Sequence, residues 1–151
     1  SVRSSFFIGS FSSSLSFKNS NKFYFFHSFL MDPKSYFPFP SITSLVSIKL
    51  TNSNYLLWKS QFMPILLSQD LFGYIDGSIP APPKSIPSAT DPTKIIPNPA
   101  YTNWLKVDQL LISWINATLS EDVLAQTVGL SSSRDIWISL DKSFSQHSKA
   151  R

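Results

Sequence analysis

The stretch Lys49–Pro64, KLTNSNYLLWKSQFMP, decides how this chain is read. Thr51, Ser53 and Asn54 are all good helix N-cap residues, because a side-chain oxygen there accepts from an otherwise orphaned helix N–H. Behind them Tyr55, Trp58, Phe62, Ile65, Leu66 and Gln69 follow at spacings of 3, 4, 3, 1 and 3. All but the last are apolar, which makes one face of an amphipathic helix. Pro64 removes a backbone bond and clashes with the carbonyl of Ser60, at a cost of roughly 3 kcal/mol. Five large buried side chains, at about 1.5–3 kcal/mol each, offset that cost. The helix is therefore expected to bend at Pro64 and to stop only in LFGYIDGSIP (71–80). There Gly73 and Gly77 allow left-handed conformations, and Asp76-Gly77 is a turn signal. So read, the stretch is a helix entrance feeding a core, not the mouth of a binding site.

Upstream, Val46, Ile48 and Leu50 alternate with Ser47 and Lys49, the period of a short strand or extended segment. Residues 32–44 are punctuated by Pro33, Pro38 and Pro40 and are expected to form an extended arm. The first thirty residues are a different material, with eight of the chain's thirteen Phe, ten Ser and no clean period. Lys18 and Lys22 interrupt their apolar runs, and a membrane span needs about 20 apolar residues, so no membrane partner is expected. Met31 opens the segment in which acids first appear, so residues 1–30 read as upstream sequence translated in frame. An organelle transit peptide is the alternative. Residues 1–43 are thus expected to be a disordered leader and arm, and residues 44–151 the domain.

Downstream, Pro80–Pro99 holds seven prolines in twenty residues and reads as an exposed, extended loop over 79–99. Pro99 suits the first turn of a second main helix. On that helix Trp104, Val107, Leu111, Trp114 and Thr118 recur at 3, 4, 3 and 4, broadened by Leu110 and Ile115. Ser120 caps a short third helix whose first turn carries Glu121 and Asp122, matching the helix dipole; Gly129 ends it. Ser132-x-x-Asp135 resembles a capping box and opens a fourth helix with Ile136, Trp137, Leu140 and Phe144 on one face. That pattern reaches Arg151 without a stop signal, so the domain is expected to be incomplete at its C-terminus. The fold class expected is a small all-α domain of about four helices.

Composition narrows the chemistry. No cysteine is present, which removes disulfides, zinc knuckles and thiol nucleophiles. Residues 1–31 hold three basic residues and no acid, while the other 120 residues carry ten basic and nine acidic side chains. A nucleic-acid binder shows a clustered basic face, and the body has none. His27 and His147 lie 120 residues apart, so a metal site made from them is not expected. Asp76-Gly77-Ser78 is not the Asp-Ser/Thr-Gly of an aspartic protease, and the serines have no placed His and Asp. Asp108 is the one acid inside the second main helix and is expected to bond a neighbouring helix terminus or a tyrosine. Asn116-Ala117-Thr118 satisfies the glycosylation sequon but lies inside a predicted helix. The four Trp sit on the apolar stripes of three helices, a core placement rather than a stacking platform. No enzyme, cofactor or small-molecule substrate is expected.

KLTNSNYLLW, the LFGYIDGS turn, NPAYTNWLKVDQLLISWI, LSEDVL and DIWISLDKSFSQHSKAR occur in the same order as in the N-terminal part of copia-type retrotransposon Gag polyproteins. In plant genomes that region is often found as a stand-alone copia-like N-terminal domain. The resemblance covers residues 44–151. Its matching landmarks are Leu50, Thr51, Asn54, Tyr55 and Trp58, then Trp104, Asp108 and Trp114, then Trp137 and Leu140. It implies a helical, capsid-like and non-catalytic module that associates with itself or with other Gag-like chains around the element's RNA. The zinc knuckle and the enzymatic regions of such polyproteins would lie beyond Arg151. A cytoplasmic location follows from this reading, with organelle targeting as the alternative if the leader is a transit peptide. An RNA-binding module is the rival function, which the near-neutral body disfavours.

Overall fold

In the computed structural model of the protein, residues 41–145 are described. The expectations for the leader, for His27 and His147 and for the chain's last residues lie outside them. The elements in order are α1 (Ile42–Leu45), α2 (Tyr55–Ser68), α3 (Phe72–Asp76), β1 (Ser85–Pro87), β2 (Ile95–Pro97), α4 (Pro99–Ala117), α5 (Glu121–Thr127) and α6 (Ser133–Phe144). The fold is mostly helical, but it is not all-α. Two short helices and a two-stranded antiparallel sheet join the four helices that periodicity predicts.

Residues 42–45 form a helical turn where an extended arm was expected, because Ile42 is buried and winding the chain brings it inward. Next, Val46 and Leu50 are buried while Ser47 and Lys49 face solvent, the alternation read from sequence. Leu50 makes a parallel bridge to Leu119: its N–H donates to the Thr118 carbonyl at 2.8 Å, and Ser120 N–H donates to the Leu50 carbonyl at 3.0 Å. The segment entering α2 is thus stitched to the end of α4.

Asn54 occupies the N-cap of α2, yet its side chain turns backwards instead of capping the helix. Its Oδ1 accepts from Thr51 N–H at 2.8 Å, and its Nδ2 donates to the Lys49 carbonyl at 2.9 Å. The residue shapes the approach loop. Pro64 sits inside α2 on its exposed side, and the helix continues for one more turn. Its end comes before the glycines, at Asp70. Asp70 adopts a left-handed conformation (φ 54°), its N–H reaches the Leu67 carbonyl at 3.3 Å, and Leu71 N–H reaches the Leu66 carbonyl at 2.8 Å. That pair of bonds is a Schellman motif with an aspartate where glycine is usual. Gly73 is not left-handed but lies within α3, where a Cβ would come within 2.6 Å of Ile79. Gly77 (φ 87°) ends α3, and Asp76 Oδ1 accepts from Ser78 N–H at 2.8 Å.

The proline-rich segment is a hairpin, not an extended spacer. Ser85, Ile86 and Pro87 pair with Pro97, Ile96 and Ile95. A two-stranded sheet tolerates these prolines because both strands are edges, where a missing N–H need cost no ladder bond. Its turn is closed by Asp91, whose Oδ1 accepts from Thr93 N–H at 3.1 Å and from Thr93 Oγ1 at 2.6 Å. Gly129 (φ 94°) follows α5 as predicted. In α6 Ser132 accepts from Asp135 N–H at 3.1 Å, and its hydroxyl donates to the Asp135 carboxylate at 2.7 Å. One half of a capping box is present; the aspartate closes it through the serine hydroxyl.

α6 packs against α3 and α4, and α1 lies against α4. Its aromatic face meets α2: the Trp137 ring centroid lies 5.5 Å from Trp58 and 5.8 Å from Phe62, and Tyr55 stacks on Phe144 at 6.2 Å. The core thus assembles around the first and last main helices, with α4 as its long third side.

Candidate interaction surface

The residues singled out by sequence divide into three groups. Leu50, Tyr55, Trp58, Trp114, Trp137 and Leu140 are all buried, and Leu50 and Trp58 are fully enclosed. Trp58 also carries a polar anchor: its indole N–H donates to Thr118 Oγ1 at 3.0 Å, and that hydroxyl donates onward to the Ile115 carbonyl at 2.8 Å. Thr118 is 1% exposed and spoken for on both sides, so the sequon at Asn116 is closed to a modifying enzyme in the folded domain.

Asp108 forms the second group with Ser133, a residue that sequence reading passed over. Asp108 is 1% exposed, and its Oδ1 accepts from Ser133 N–H at 3.0 Å and from Ser133 Oγ at 2.6 Å. Ser133 is the first residue of α6, so the carboxylate sits at the positive end of that helix. It ties α4 to α6 and leaves no reactive pair. Tyr74 lies close by; burial first, and then the charge of Asp108, push its phenol above the ordinary range.

The third group surrounds Trp104, which is half-buried rather than in the core. It stacks on Tyr74 at 5.9 Å and on Tyr101 at 6.5 Å, and its indole N–H donates to the Ile79 carbonyl at 3.0 Å. Lys84 Nζ lies 5.8 Å from the Tyr101 ring centroid. Beside it the buried Asn98 caps α4 by accepting from Ala100 N–H at 3.0 Å, and donates to the Pro83 carbonyl at 2.7 Å. These contacts moor the hairpin to α4. Neither Asn98 nor Ser133 carries a sequence signal beyond being a polar residue next to a helix start. Thr51 serves the same approach loop as Asn54, its N–H bonded to Asn54 Oδ1.

Among the described residues no group of three or more His, Cys, Asp or Glu is placed to hold a metal ion. No described helix is long and apolar enough to cross a membrane. What the described surface does offer is an apolar face on α2. Leu56, Leu57 and Leu67 are 59%, 65% and 56% exposed. At about 100° per residue, Leu56, Ser60, Met63 and Leu67 fall within an arc of about 60°, flanked by Leu57 and Pro64. That face lies opposite Tyr55, Trp58, Phe62 and Leu66, which are buried. Leucines on a solvent-facing side of a helix are the ones that a polar face would normally replace. The only charged residue in α2 is Lys59, at the margin of the face. Its ammonium donates to Asp141 Oδ1 at 2.9 Å and lies 5.3 Å from the centroid of the Tyr55 ring. Smaller exposed apolar groups are Ile95 and Ile96 on the hairpin, and Val128, Leu130 and Ile138 around the start of α6.

Comparison with known proteins falls on the same region. Residues 41–83, which include all of α2, match the family profile described as Gag-polypeptide of LTR copia-type. Two curated relatives are the retrovirus-related Pol polyproteins from transposons RE2 and RE1 of the plant Arabidopsis thaliana, 35% and 33% identical over 100 residues. That alignment takes in 66% of this chain but spans only 7% of each relative's length. No solved structure shows significant similarity to the chain.

Proposed function

We propose that this copia-type Gag segment is a non-catalytic structural module that works by associating with other Gag-like chains, first of all copies of itself. The observation that carries the reading is the charge-free apolar face of α2. Large contiguous apolar surface on a soluble domain marks an interaction site, and this face lies within the stretch that matches the Gag profile. The buried polar groups support the same reading. Asp108, Thr118 and Ser133 are consumed in tying helices together, and none is paired for acid–base or nucleophilic work. RNA is a secondary partner at most. The chain beyond residue 31 carries ten basic and nine acidic residues, and charge so balanced gives little long-range attraction to phosphate.

Sedimentation and filter binding on one preparation test both halves. The reading expects weight-average mass to rise with concentration, and RNA affinity no tighter than the non-specific range of roughly 10⁻⁴–10⁻⁶ M at physiological salt. A strict monomer that holds RNA at nanomolar concentration would replace the structural role with a nucleic-acid one.

A further inference from the structure

We infer that two copies of this chain pair through α2, antiparallel about a two-fold axis crossing at the level of Gln61 and Phe62. The inference rests on the self-associating reading above and names its contact.

The arrangement of side chains selects this partner and this direction. A dyad at that level sets Leu56 opposite Leu67 of the second copy, and Ser60 opposite its Met63. Leucine meets leucine at both ends, and a small residue receives a large one on either side of the centre. Such large-against-small matching is what lets two helix faces interdigitate. An isologous contact needs a surface complementary to itself. A face without charge meets that need, because no like charges are forced together. The ends reinforce the direction. Exposed Lys49 stands at the N-terminal end of α2, where its carbonyl holds Asn54, and exposed Asp70 stands just beyond the C-terminal end. Antiparallel pairing brings the lysine end of one copy to the aspartate end of the other; parallel pairing sets like beside like. The helix macrodipoles also oppose favourably in the antiparallel sense.

The size of the face sets the strength. From Leu56 to Leu67 it runs about 17 Å at 1.5 Å per residue. Its exposed side chains offer on the order of a few hundred Å² per copy, less than the roughly 800 Å² that each partner of a stand-alone interface buries. The pair is therefore weak and depends on repetition of contacts for lasting assembly.

The chain has no cysteine, so introduced thiols report the register without background. Leu56→Cys and Leu67→Cys, both at exposed sites, are made in the full chain, with Gln109→Cys on the exposed side of α4 as a random-encounter control. Each is oxidised alone, and the first two also as an equimolar mixture. The expected result is a 56–67 disulfide in the mixture forming at least about tenfold faster than any single variant dimerises, since a bridge needs Cα atoms within about 7 Å. Leu56→Cys alone cross-linking as fast as the mixture would overturn the antiparallel register. Rates equal to the Gln109→Cys control, in a chain that still associates by sedimentation, would sink this contact and leave the self-associating reading standing. Control-level rates together with a monomeric wild type would remove both.

Discussion

At the scale of single residues, the polar side chains carry the specificity of this fold. Asp108 is a carboxylate with 1% of its surface exposed, and its work is to receive both donors of Ser133. Hydrogen bonds to charged groups are worth about 1.5–3 kcal/mol, and deleting the acceptor also strands two buried donors. Asp108→Ala is therefore expected to destabilise the domain by about 2–4 kcal/mol. Urea denaturation followed by Trp fluorescence checks it; a midpoint equal to wild type would show that water replaces the carboxylate. Asp108 stood out in the sequence as the single acid within a strong helix, and its partner could be guessed as a helix terminus. Which terminus was hidden, because Ser133 lies 25 residues away and only the packing of α6 on α4 brings them together. Trp104 shows the opposite case. Its spacing placed it on an apolar stripe, but the stripe at that end meets Tyr74 of α3 and the Ile79 carbonyl, so the ring is half-covered and stacks on tyrosines.

At the scale of elements, the main helices were legible because each buries a face whose period is 3.6. Their ends were less so. The glycines at 73 and 77 advertise a stop, yet α2 ends earlier on Asp70, which accepts a left-handed conformation that its side chain merely disfavours. Here the burial of Leu71 overrode local propensity. The hairpin was missed for a related reason. Seven prolines in twenty residues suggest an extended spacer, but Pro87 and Pro97 sit at strand ends where donors are dispensable. What turns the segment into a packed element is Asn98, which caps α4 with one end of its amide and grips Pro83 with the other. Replacing it by alanine removes the cap, a loss of typically 0.5–2 kcal/mol. It also frees the Pro83 carbonyl, so the expected cost lies at the upper end, about 2 kcal/mol. Hydrogen exchange separates the two contributions. Loss of protection confined to the first turn of α4 means a cap alone, whereas loss through residues 84–97 as well means that Asn98 also holds the hairpin.

At the scale of the whole molecule, α2 and α6 close the domain across 86 residues of sequence through a latch made by Tyr55, Lys59 and Asp141. The Tyr55 hydroxyl donates to Asp141 Oδ1 at 2.5 Å, and the Lys59 ammonium donates to the same oxygen at 2.9 Å. Burial, followed by the hydrogen bond and the charge of Asp141, raises the Tyr55 phenol well above its usual value of 10.0. Tyr74 is raised as well, by burial first. For both, the folded state holds its proton where the unfolded chain releases it. Their contribution to stability is therefore complete below about pH 10 and falls away as the pH rises above it toward the folded-state values. Each such tyrosine adds a slope of up to about 1.4 kcal/mol per pH unit in that window. Denaturation midpoints measured from pH 7 to 11.5 should hold to about pH 9 as far as these tyrosines contribute, then drop. In Tyr55→Phe the latch loses a donor, so stability at pH 7 falls by about 1–2 kcal/mol, but the alkaline drop becomes shallower by one tyrosine's share. The two variants' stabilities then converge as the pH climbs. A Tyr55→Phe curve that runs parallel to wild type through pH 11 would show that the phenol is not held by Asp141. The closure of α6 on α2 would then rest on its aromatic contacts alone.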